Sequence, residues 1–292
     1  MIDYDRSAWW RTMLSFHGTV LPAVLGRAGL LTALALGLCM LDEFVLPRYG
    51  VKLPPLDQLG HVVLGTALGM FIAFRSNSSY GRFWEARSHW GGIINTSRNL
   101  VRSAAANAGP ADELARIVAA FAVVLRQTLR SSKDFTELRG VLPADLYDKL
   151  AHADDAPGSL ARAMSDWIAT RLANGKLPPP QAERLETLVC MLVDFQGGCE
   201  KIQRTPMPFV YASLIKLILF VYLASLPFVL VSKMGFAAPL VVAVVAFGML
   251  GIEEAGVDIE NPFSFDPNAL PLEAICQRIA GNVAEAAKAN RS

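Results

Sequence analysis

LGHVVLGTALGMFIAFRSNSSYGRFWEAR, Leu59 to Arg87, decides the fold. Its first half is apolar and glycine-spaced; its second half carries arginines and aromatics, and no proline separates the two. A spanning helix needs about 20 mainly apolar residues, so a helix that runs on past Arg75 leaves the bilayer without stopping. One rigid element then stands in both lipid and water, with Arg75 at the exit, as a pore-lining helix would.

Outward from it, four stretches qualify as spans: residues 28–46, closed by Asp42, Glu43 and Pro47; 57–74, with Gly60, Gly65 and Gly69; 208–232; and a short one from Phe236 to Ile252. Only Lys233, Met234 and Gly235 lie between the last two, which predicts an antiparallel hairpin. Hence the expected organisation: an N-terminal helix and first transmembrane hairpin over 1–74, a mainly helical cytosolic domain over 75–205, a second transmembrane hairpin over 206–252, and a C-terminal cytosolic segment over 253–292.

Composition agrees with a membrane protein that has a substantial water-facing part. The 292 residues are 53% hydrophobic and 18% charged, with mean hydropathy +0.35: too apolar for an ordinary soluble domain, too charged to be spans alone. A net charge of +1 lacks the basic excess of a nucleic-acid binder. Cys39, Cys190, Cys199 and Cys276 form no CxxC pair, so reduced thiols are expected rather than zinc or disulfides. The N-terminus shows no signal-peptide pattern, and is read as mature protein.

The block from Arg75 to Thr205 is polar but helically periodic. In residues 113–130, Leu114, Ile117, Phe121, Val124 and Leu125 recur at three- and four-residue steps, as an amphipathic helix requires. Further helices fit Ser159 to Ala173 and Gln181 to Gln196, separated by Gly-Lys-Leu-Pro-Pro-Pro, a breaker. Basic residues flank the spans on one side: Arg6 and Arg11 before the first, Arg75, Arg82 and Arg87 after the second, Lys201 and Arg204 before the third. The positive-inside bias puts both termini and the middle block in the cytoplasm.

At about 100° per residue, Gly65 and Gly69 share one face of the second span, in the small-xxx-small pattern that lets helices approach closely. The opposite face carries Leu59, Val63, Ala67 and Phe71, all neutral. If identical copies ring an axis with this stripe inward, it forms a hydrophobic constriction of the kind that gates by dewetting; otherwise it faces lipid or another helix.

The residues after the stripe are the most specific in the chain. FRSNSSYGRFWEARSHWGGIINTSRNLVR, residues 74–102, with Tyr80 five residues after Arg75 and a Trp84-Glu85-Ala86-Arg87 end, resembles the signature of the bestrophin family in its bacterial form. GGCEKIQRTPMPFVY, residues 197–211, and IENPFSFDPNALPLEAIC, residues 259–276, agree with it in the same order, so the resemblance covers nearly the whole chain. It implies an all-α membrane protein, a homopentameric ion channel with four membrane helices and a helical cytosolic domain per subunit. The resemblance puts the pore neck at Leu59, Val63 and Ala67, with Phe71 one step further, and a cytosolic constriction near Leu177 to Pro180. Bulky side chains are usual at such a neck; Ala67 is small, which implies a wider neck or a gate moved to Phe71.

Animal members bind calcium after an Asn-Pro-Phe motif. Asp258, Asn261 and Asp266 partly match, but Ala269 stands where a ligand is expected, and calcium prefers six to eight oxygen ligands. Weak or absent calcium binding is expected, the alternative reading of NPFSFD being a capped turn that docks the C-terminal helix; no other cofactor is implied. Arg75, Arg82 and Arg87 either form a ring that attracts anions or snorkel to the interface. Glu85 is spaced to pair with Arg82, Trp84 and Trp90 suit an interfacial belt or subunit packing, and Lys216 is an intramembrane charge, functional or snorkelling. His61 is read as a packing residue, and Pro208 and Pro227 bound or kink the third helix.

Two function classes follow: a passive channel, or a coupled transporter. The sequence shows neither the inverted repeats of a transporter nor the clustered groups of an enzyme, so an enzyme is not expected. The expected partners are small inorganic ions, the lipid bilayer and further copies of the chain, with no nucleic acid, in a bacterial inner membrane. The resemblance points to chloride by default, with a sodium-conducting pore as the alternative.

Overall fold

The computed structural model describes residues 7, 9–13, 15–54 and 56–288. Arg6 and the first residues read for a leader lie outside them. Ten α-helices appear among the described residues, and no strand: α1 Trp9–Met13, α2 Leu21–Met40, α3 Gln58–Ala108, α4 Asp112–Leu129, α5 Ala144–His152, α6 Ala156–Ala173, α7 Pro179–Arg204, α8 Phe209–Met234, α9 Ala238–Asp258 and α10 Leu272–Lys288.

Most prolines of these helices sit where a missing N–H costs nothing; the exception is Pro227, buried inside α8, which removes a backbone donor without ending the helix. Proline occupies the first turn of α2, α6, α7 and α9, and Pro208 immediately precedes α8. No proline falls between Pro55 and Pro110, so α3 runs unbroken for 51 residues, about 76 Å at 1.5 Å per residue. It stops where Gly109 takes φ +79° ahead of Pro110, a left-handed end that glycine adopts freely.

Three helical stretches are long and apolar enough to cross a membrane: 21–49, 58–108 and 209–258, the last comprising α8 and α9. Two of them begin or end beyond their expected limits. α2 starts at Leu21 rather than 28, because Arg27 interrupts hydropathy but not backbone hydrogen bonding, and α9 runs past Ile252 through Glu253 and Glu254 for the same reason. Beyond Met40 the chain loosens into a π-turn, Leu41–Val45, and a 3₁₀ turn, Leu46–Tyr49; Asp42 there accepts a hydrogen bond from the Leu53 amide at 2.9 Å.

The chain divides into two compact units, the boundary falling between Phe83 and Trp84, inside α3. The first unit holds residues 1–83, 206–261 and 266–268. Its helices match level by level: Val24 and Ala28 cluster with Ile215, Leu219, Leu223, Ala246 and Leu250; Ala35 with Leu226 and Val242; Cys39 with Val231 and Ala238. Numbers rise together in α2 and α8 and fall in α9, so α8 and α9 are antiparallel. Leu68 and Ile72 join the first cluster while Gln58 accepts from Lys233, so α3 also runs against α8. Lipid supplies no hydrophobic force between helices, and small residues instead let backbones approach; Ala28, Ala35, Ala238 and Ala246 occupy these contacts.

The second unit holds residues 84–205, 262–265 and 269–292. Amphipathic α4 buries Leu114, Val118, Phe121, Val124 and Leu125 against α6 and α10, and α6 packs on α7. In water, each such side chain stabilises by about 1.5–3 kcal/mol. Trp90 is fully buried here, so it belongs to this core and not to an interfacial belt. α3 and α7 interlock reciprocally: the Phe195 ring covers Gly92, and the His89 ring covers Gly198. A methyl group on either glycine would lie inside the facing ring. Gly92→Ala is therefore expected to cost about 1–3 kcal/mol, read as a lowered thermal midpoint, and Phe195→Leu in the same chain should recover part of it.

Candidate functional site

Within the first unit, α3 presents two unlike faces. The packed face steps through His61, Gly65, Leu68, Ile72, Arg75 and Ser79. The His61 ring stacks on Tyr222 with centroids 4.6 Å apart, and a Cβ on Gly65 would come within 2.8 Å of the Tyr222 hydroxyl, so glycine is what permits this approach. Gly69, expected to share that role, has open space around it: α8 touches α3 at only one of the two glycines.

The free face carries Leu59, 70% exposed, and Val63, 62% exposed; Ala67 is half-buried and Phe71 falls to 39%. The decline is helical geometry. A four-residue step overshoots one 3.6-residue turn by about 40°, so the stripe Leu59–Val63–Ala67–Phe71 winds from the free face toward the packed one. Met70 and Phe74, which the four-residue spacing passes over, are exposed and lie only about 20° and 60° around the helix from Leu59. A seven-residue spacing would have found them. From Leu59 to Phe74 this face carries no ionisable group, so a passage lined by it strips water from ions of either sign without a counter-charge.

Arg75 ends the apolar run. Its side chain is 2% exposed and its guanidinium pairs with Glu253 of α9, itself 2% exposed; a second nitrogen reaches Glu260 at 3.5 Å. Glu260 also accepts from the Met207 amide at 3.2 Å, and its carbonyl accepts from Arg82 Nε at 3.2 Å. Gly256 lets α9 close on Ser76 beside this cluster. Arg75 is therefore a buried tie between α3 and α9, neither a free charge in a ring nor a snorkelling one, and Arg82 is engaged by the same segment. Tyr80 is exposed.

Of the motif residues in the second unit, Trp84 and Arg87 are exposed. Glu85 pairs with Lys201 at 2.8 Å and lies 3.7 Å from His89, in place of the expected pairing with Arg82. The hydrogen bond from Lys201, aided by His89, holds the Glu85 carboxyl below the usual carboxylate range. Leu177 is 1% exposed, committed to the core of this unit, so it offers no wall to a constriction; Pro180 is exposed in the first turn of α7.

Burial pushes the Cys199 and Cys276 thiols up to about 12, while Cys190 is exposed. Near neutral pH a maleimide is expected to label Cys190 alone in the folded protein and all four cysteines after denaturation. Loss of that single fast-labelling thiol in Cys190→Ser, counted by intact mass, checks it.

Around the Asn-Pro-Phe stretch, Asp258 accepts from the Asn268 side chain at 2.6 Å, and Asn268 also donates to the Gly18 carbonyl at 3.0 Å. Among the described residues, no three His, Cys, Asp or Glu side chains gather as a metal would need. In the second unit, Arg130 donates to the Phe263 carbonyl at 3.1 Å, stacks over the Phe265 ring at 4.2 Å and pairs with Glu273 of α10. That hydrogen bond holds the Glu273 carboxyl low.

A family model described as Bacterial/Fungal Bestrophin protein matches residues 1–285. A voltage-dependent anion channel-forming protein of Synechocystis sp. is 34% identical over 283 residues, 94% of this chain and 90% of the relative. One of Escherichia coli strain K12 is 29% identical over 291 residues, 96% and 91% respectively. The crystal structure of a bacterial bestrophin homologue from Klebsiella pneumoniae matches with TM-score 0.83 and 26% identity, over 90% of this chain and 98% of that one.

Proposed function

Because the chain belongs to the bestrophin family, in its bacterial and fungal branch, we propose that it is a passive membrane channel for small monovalent anions, chloride foremost. The observation that carries this reading is the wholly neutral stripe of α3, most exposed at Leu59 and Val63. A face with nothing to bind an ion tightly lets it leave as readily as it enters, which conduction requires. The names of the relatives as anion channel-forming proteins support the same sign of ion.

In this reading α2, the first part of α3, α8 and α9 are the four spans, and five copies ring an axis in the inner membrane with both termini in the cytoplasm. Leu59 and Val63 form the centre of the neck. Ala67 and Phe71 follow where the stripe turns toward the packed face, leaving Ala67 as a wide level. Calcium is not required in this reading.

Purified protein in a planar bilayer tests this: steady unitary currents in simple salt, without a coupling ion, are the expected result. Saturable, substrate-dependent flux without unitary events would instead establish a coupled transporter.

A further inference from the structure

A cavity of about 390 Å³ opens in the first unit between α2, α8 and α9. Its floor is the buried trio Leu219, Leu223 and Leu250, its rim the exposed Leu30 and Phe220, and its polar end is made by Arg27 and Lys216. Both cations stand about two turns, roughly 10 Å, inside the start of their helices.

The charges at this end do not balance. Arg27 spends one nitrogen on Glu254 at 2.8 Å, leaving further N–H donors of its fork, and Lys216 has no partner among the described residues. Glu253 also lines the cavity, but its charge is taken by Arg75. One net positive charge remains over an apolar groove. Basic pockets between membrane helices suit lipid phosphates, and a groove of this length suits an acyl chain beneath one.

We propose that this cavity is a binding site for an anionic phospholipid, its phosphate between Arg27 and Lys216 and one acyl chain along Leu30, Phe220 and Leu223. The site needs only a membrane-embedded chain and does not depend on which ion is conducted. Its occupant makes the α2–α8 surface a place where lipid composition acts on the bundle.

The test is native mass spectrometry of the detergent-purified, full-length protein titrated with phosphatidylglycerol and with phosphatidylcholine of the same acyl chains. Wild type is expected to retain phosphatidylglycerol roughly thirtyfold more tightly, as two headgroup cations imply. Arg27→Gln/Lys216→Gln should abolish the preference. Lys216→Met, which removes no hydrogen bond of the fold, should reduce it on its own and keeps the test open if the double variant fails to fold. Equal retention of the two lipids by wild type would overturn the proposal, as would a preference undiminished in Lys216→Met. Displacement of the lipid by millimolar inorganic phosphate, or efficient cross-linking of Phe220→Cys between copies, would overturn it too, because free phosphate or a second chain would then fill the cavity.

Discussion

Glu253→Ala is expected to destabilise the protein by about 3–5 kcal/mol, because it leaves the Arg75 guanidinium buried with its main counter-charge gone. Arg75 and Glu253 are each 2% exposed, and Glu260, at 3.5 Å and on one nitrogen only, is a poor substitute. A buried pair of this kind contributes little net stability over two well-packed apolar residues, yet removing one partner is severe. Arg75→Ala should therefore be comparably damaging, whereas Arg75→Met/Glu253→Leu should cost much less than the sum of its single changes. Thermal unfolding of the full-length variants in one detergent, followed by tryptophan emission, gives the three values. Additive losses would show that the two side chains do not interact.

Ala67→Phe is expected to lower unitary conductance at least about tenfold, the effect of an added barrier of roughly 1.4 kcal/mol. Ala67 is the one small side chain among the four proposed neck residues, and a phenyl ring at each copy's neck narrows the passage and lengthens its dry section. Phe71, further round toward the packed face and 39% exposed, should matter less: Phe71→Ala is expected to change conductance by less than about twofold, a barrier change under roughly 0.5 kcal/mol. If Ala67→Phe leaves single-channel current unchanged while Phe71→Ala alters it, the neck sits one turn further along α3 than proposed.

The helices were legible wherever their signal is local. The absence of a breaker between Leu59 and Arg87 points to a helix that runs through Arg75, and the three- and four-residue spacing of Leu114 to Leu125 points to α4. Arg27 and Glu253 interrupt hydropathy without ending α2 or α9, because helices end where the backbone loses donors or turns left-handed. The partner of Arg75 was not legible, since Glu253 lies 178 residues away and only the pairing of α3 with α9 brings them together. The same holds for Glu85, which Lys201 reaches from α7. The stripe at Leu59 is neutral by composition, but a four-residue step drifts on a 3.6-residue helix and so passes over Met70 and Phe74. Leu177 shows the limit of carrying a position over by resemblance: its neighbours in this chain bury it.

The central claim is that this chain passes anions along the neutral face of α3. The most direct measurement is the reversal potential of wild-type protein in a planar bilayer under a potassium chloride gradient. The reversal potential is expected to lie close to the chloride equilibrium potential and to stay there when sodium replaces potassium. A reversal potential near the cation equilibrium value would contradict the account.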